Sequence, residues 1–135
     1  MPTSRIFRTR WLSRFARREG IGDSALIEAV ARAERGLIDA DLGGGLIKQR
    51  VARLGQGRSG GYRMILAFRR GDRAVVVYGF SKNERENTSA DELQTLRDVG
   101  RDWLDVSADE IDEALASGKL NEVNYGSEEK AQQID

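Results

Sequence analysis

Between Leu46 and Arg85 the chain carries ten cations, Lys48, Arg50, Arg53, Arg58, Arg63, Arg69, Arg70, Arg73, Lys82 and Arg85, against two acids, Asp72 and Glu84. Such an excess suits a polyanion, although arginines on edge strands also keep a sheet soluble. Lys48 and Arg50 are two positions apart, so a strand puts both on one face. Tyr78, Phe80 and Lys82 alternate in the same way. If Gly71-Asp72 is a two-residue hairpin turn, Arg63 lies opposite Phe80 and Ile65 opposite Tyr78, and Arg63 joins that face. Four cations then converge on one surface. When the 2′-hydroxyl of an RNA attacks its own phosphodiester, negative charge grows on phosphorus and on the departing 5′-oxygen. Preplaced guanidinium and ammonium groups stabilise that charge without a metal. Tyr78 and Phe80 offer rings for an unpaired base, or else serve as core, and Arg58 could reach a phosphate from its loop. For proton transfer the candidates are Tyr62, Tyr78, Lys82, Glu84 and Glu86.

The elements that must hold these residues follow from pattern. Ser4–Thr9 reads as a short strand. Trp11, Leu12, Phe15 and Ala16 recur at helical spacing up to a Gly20 stop. Asp23 is expected to cap a second helix with an apolar stripe of Leu26, Ile27, Val30 and Ala33, stopped by Gly36. Arg14, Arg17, Arg18, Arg32 and Arg35 fall largely outside the stripes and are expected to be solvated. Gly43-Gly44-Gly45 breaks the chain before strands at Leu46–Arg53, Tyr62–Arg70 and Arg73–Phe80, with Gly55–Gly61 as the loop between the first two. Ser89-Ala-Asp-Glu92 and Ser107-Ala-Asp-Glu110 are capping boxes that open two more helices, the second ending near Gly118. Gly55-Gln-Gly57-Arg-Ser-Gly60 spells a dinucleotide fingerprint, but the strand expected at Tyr62 stands where that fingerprint needs a helix.

A chain of 135 residues fits one domain, which the elements above make α+β. We expect that domain over residues 1–120, followed by a polar acidic tail at 121–135 that does not order. The formal charge of zero hides a split: residues 1–85 hold 18 Lys+Arg and 8 Asp+Glu, and residues 86–135 hold 4 and 14. The acidic part is either a solvated tail or a segment that folds back over the basic groove. With no cysteine and no histidine, disulfides, thiolate metal sites and the commonest general base are ruled out, and no cofactor or metal is expected. No signal-peptide core or membrane-length apolar run is visible, so the expected setting is the cytoplasm.

Lys48-Gln-Arg50, Ser59-Gly-Gly-Tyr-Arg63, Phe68-Arg-Arg-Gly-Asp-Arg73 and Tyr78-Gly-Phe-Ser-Lys-Asn-Glu-Arg85, in this order and spacing, resemble the RelE/ParE superfamily of toxins from type II toxin–antitoxin systems. The likeness is greatest to the RelE/HigB-like group and covers roughly residues 4–100. It implies a RelE-like fold, a small antiparallel sheet with two N-terminal helices packed on it and C-terminal helices. It also implies ribosome-dependent cleavage of mRNA, and neutralisation by a cognate antitoxin, often a small helix-turn-helix protein. Carried over by position, it assigns RNA contacts to Lys48 and Arg50, and catalysis to Arg63, Lys82 and Arg85. Arg53, Arg58, Tyr78 and Phe80 join the RNA-binding set from the residue pattern. The chain differs from many members in having Asn83 in place of an arginine and no tyrosine shortly after it. Two other functions fit the same scaffold: a ParE-like toxin that binds DNA gyrase without catalysis, and a nucleic-acid-binding regulator.

Overall fold

The computed structural model describes residues 4–53, 57–82 and 87–124, without the side chains of residues 53 and 57–60. Arg85 and the side chains of Arg53 and Arg58 therefore lie outside the described residues, as do Glu84, Glu86 and residues 125–135.

Among the described residues ten elements follow in chain order: β1 (Arg5–Thr9), α1 (Arg10–Glu19), α2 (Asp23–Glu34), β2 (Ala40–Gly43), β3 (Leu46–Arg53), β4 (Gly57–Arg69), β5 (Arg73–Ser81), α3 (Ala90–Asp105), α4 (Ala108–Ser117) and β6 (Leu120–Val123). The strands form one six-stranded sheet in the order β2-β3-β4-β5-β1-β6. This is an α+β fold. The sheet is mixed where an antiparallel one was expected, because β1 runs parallel to β5, with Arg5 beside Arg73 and Arg8 beside Val76.

Period-two alternation gives the central strands two buried faces. On one side α1 and α2 cover Ile6, Ile47, Val51, Tyr62, Met64, Leu66 and Val76. On the other, α3 and α4 cover Phe7, Leu46, Ile65, Ala67, Val75 and Val77. Gly100 lets α3 approach closely, since a Cβ there would stand 3.1 Å from Leu46 Cδ1 and 3.2 Å from Ala67 Cβ. Both capping boxes form as expected, Ser89 with Glu92 and Ser107 with Glu110. Gly20 stops α1 with φ of 72°.

Several elements depart from expectation. Asp23 is the first residue of α2, not its cap; Gly22 caps without a side chain, and Asp23 instead accepts from Arg8 Nη1. The loop expected at Gly55–Gly61 is shorter, because β4 already begins at Gly57. The β4–β5 turn has three residues, Arg70-Gly71-Asp72, between the paired Arg69 and Arg73. A register shift between Ile65 and Leu66 then leaves Val77 as an extra residue on β5. The longer turn and the bulge cancel, so Arg63 does face Phe80 and Ile65 does face Tyr78.

The expected domain boundary at residue 120 falls inside a strand. Leu120–Val123 pairs antiparallel with β1, Val123 is 2% exposed, and Glu122 takes both Arg5 Nε and Nη2 at 2.9 and 3.0 Å. Residues 121–123 thus belong to the sheet.

Candidate phosphate-binding face

Two rows of side chains cross the sheet beside the α3 face. In the first, Arg50 of β3, Arg63 of β4 and Phe80 of β5 stand directly opposite one another. In the second stand Lys48, Ile65 and Tyr78. Cβ atoms so paired are about 5 Å apart, close enough for one phosphate to touch neighbouring cations. Lys82 extends the face: its N–H donates to Gly61 O at 3.1 Å, one position beyond the end of β5, and its side chain is exposed. Lys48, Arg50, Arg63 and Lys82 therefore share one surface, as the alternation of the sequence implied.

Their surroundings differ. Arg50 is exposed, whereas Arg63 is only 7% exposed and donates from Nη1 to Tyr62 O at 3.4 Å. Burial and the facing Arg50 charge both lower the Arg63 guanidinium from its ordinary value, and Asp39 acts in the opposite direction. Like charges facing each other across strands repel, so the pair gains from a bound anion. Lys48 Nζ donates to Asn87 Oδ1 at 2.9 Å, which ties the second row to the segment leading into α3.

The aromatic positions separate. Phe80 is 3% exposed and packed into the core under α3, so in this conformation it offers no ring to a base. Tyr78 is half-buried and stacks on Trp11 with ring centroids 4.7 Å apart; Trp11 itself is 43% exposed. A cleft of about 330 Å³ opens beside Tyr78, lined by Asp91, Glu92, Thr95 and Leu96. Among the proton-transfer candidates, Tyr62 lies on the opposite face, where its hydroxyl meets Glu19 Oε1 at 3.1 Å. That removes it from the site and leaves Tyr78 and Lys82 beside the cations among the described residues.

Other cations of the basic segment have structural work. Arg73 Nη1 donates to Trp103 O and Val106 O at 3.0 and 2.9 Å, and Arg69 Nη1 to Leu104 O at 3.0 Å. Both satisfy carbonyls at the C-terminal end of α3, where a positive charge is favourable. Arg32 was expected on a solvated face, yet it is 5% exposed and joins α2 to β3. Nothing in its helical position marks it, because its partners Asp39 and Arg50 come from later segments.

A family model described as the RelE toxin of the RelE/RelB toxin–antitoxin system matches residues 4–123. The chain belongs to the RelE toxin family. The match takes in β6, whose residues 121–123 the sequence pattern had assigned to a tail. Among curated proteins, none matches the chain. Membership in the RelE family makes this a toxin of a toxin–antitoxin system, with an antitoxin as partner. No helix among the described residues is long and apolar enough to cross a membrane.

Proposed function

We propose that this RelE-family toxin is a metal-independent endoribonuclease that cuts mRNA on the ribosome and so stops translation in the cytoplasm. The observation that carries this reading is the direct opposition of Arg50 and Arg63, with Lys48 and Lys82 on the same face. Two guanidiniums held against their mutual repulsion form a receptor for an anion whose charge increases during reaction.

In the proposed step the 2′-hydroxyl loses its proton and attacks the adjacent phosphorus. The P–O5′ bond breaks, and the 5′-oxygen leaves after gaining a proton. The products are a 2′,3′-cyclic phosphate and a 5′-hydroxyl. Arg63 and Lys82 are the catalytic residues among those described, neutralising the phosphorane and the leaving oxygen; Lys48 and Arg50 hold the flanking phosphates. In this reading Tyr78, opposite Ile65 beside the cations, stacks a base or relays a proton. By the family resemblance Arg85 is catalytic in the same reading, and Arg53 and Arg58 belong to the RNA-binding set. The partner antitoxin is a small helix-turn-helix protein in this reading.

The test is cleavage of a defined mRNA in a reconstituted translation reaction, with fragment ends mapped chemically. Cyclic-phosphate ends should appear with the wild type and be lost with Arg63→Ala and with Lys82→Ala. If the wild type stabilises gyrase–DNA breaks and cuts no mRNA, the ParE-like function is correct.

A further inference from the structure

The strand that carries Arg50 loses its neighbour just before Arg50. β2 pairs with β3 only as far as Ala40 opposite Lys48, so at Arg50 the outward N–H and C=O have no strand to meet. Side chains replace it. Asp39 Oδ2 accepts from Arg50 N at 2.7 Å, and Arg32 Nη2 donates to Arg50 O. Arg32 also donates from Nη1 to Asp39 Oδ2 at 3.2 Å and from Nε to Glu28 Oε2 at 2.6 Å, so its guanidinium is fully directed. The backbone of Asp39 is fixed in turn, its N–H donating to Oε1 of the buried Gln49 at 2.8 Å.

We infer that Asp39 and Arg32 are positioning residues, which fix the Arg50 backbone at the sheet edge and so aim its guanidinium at the phosphate held with Arg63. This deepens the proposed function and rests on that reading of the face. An edge strand without such a clamp frays, and a long side chain on a fraying strand loses its direction. A single carboxylate and a single guanidinium here do the work of two strand hydrogen bonds.

A positioning role for Asp39 and a bystander role differ in the sign of their effect on RNA binding. Asp39 is an anion close to a phosphate-binding surface. If it only stood there, removing it would strengthen RNA binding. If it positions Arg50, removing it weakens binding, and only while Arg50 is present.

The experiment is a double-mutant cycle read by fluorescence anisotropy with a labelled single-stranded oligoribonucleotide, each protein first checked by circular dichroism and thermal melting. Asp39→Ala should weaken binding about threefold to tenfold in the wild-type background and change it by less than about twofold in the Arg50→Ala background. An equal loss in both backgrounds, or tighter binding in the wild-type background, overturns the positioning role. If Arg50→Ala alone binds as well as the wild type, the phosphate face itself is wrong and the inference falls with it. Should Asp39→Ala fail to fold, Arg32→Lys repeats the cycle. Its ammonium can keep Glu28 but cannot span both Asp39 and Arg50 O, and the same outcomes decide.

Discussion

Salt dependence gives the sharpest measure of the basic face. Four cations, Lys48, Arg50, Arg63 and Lys82, share it among the described residues. For single-stranded RNA each neutralised phosphate adds about −0.7 to the slope of log affinity against log salt, so four contacts give a slope of about −2.8. Between roughly 50 and 200 mM salt, affinity should fall about 50-fold. Arg50→Ala removes one exposed contact and should bring the slope to about −2.1, a fall of about 18-fold over the same range. Arg70→Ala, an exposed cation in the β4–β5 turn, should leave the slope as it was. The assay is anisotropy of a labelled oligoribonucleotide across a salt series at constant pH. A wild-type slope shallower than about −1, or an identical loss for Arg50→Ala and Arg70→Ala, would refute the reasoning, since the charge of the molecule and not this face would then be responsible.

Val123→Ala should cost about 1.5–2.5 kcal/mol, because the side chain is 2% exposed in the core under α1 and α2, and should lower Tm by roughly 5–10 °C. Removal of residues 125–135 should leave Tm unchanged, six of the eleven being Glu, Gln, Lys or Asp. Gly100→Val should cost about 1–3 kcal/mol by forcing α3 away from Leu46 and Ala67, read as a lower midpoint in urea. Burial would raise the Asp39 carboxyl, but the Arg50 N–H and the Arg32 guanidinium outweigh it and hold it below its ordinary value. Its contribution to stability is therefore complete above the unfolded value of about 3.9 and is lost as pH falls through the lower native value. Asp39→Asn should flatten that acid limb of the stability curve, and an unchanged limb would refute the assignment.

What the sequence revealed and what it hid have physical causes. The two capping boxes and the Gly20 stop were legible because capping is local, Ser89, Glu92, Ser107, Glu110 and Gly20 each acting within a few residues, whereas Asp23 was drawn into α2 by Arg8 from outside its own segment. The four-cation face was legible because strand alternation survives errors in the turn, and here a three-residue turn was offset by the Val77 bulge. β2 and β6 were not legible. Each has four residues, too few to show a period, and each carries polar residues on a solvent flank. Arg32 and Phe80 show the limit of reading side chains one element at a time. The first is buried by partners from α2, the following loop and β3, and the second by a helix that comes later in the chain.

The adjacency of β1 and β6 has a consequence for synthesis. Ile6 pairs with Val123 and Thr9 with Leu120, so β1 waits for β6, which is made much later, before its outer edge is closed. Closing a loop that spans nearly the whole domain is slow compared with forming the β4–β5 hairpin. Until β6 is released, β1 presents unpaired backbone groups, which is the state most exposed to mispairing and to capture by another chain. A toxin built this way passes through a long interval in which its basic hairpin can form while its sheet is still open, and whatever restrains it has that interval in which to act.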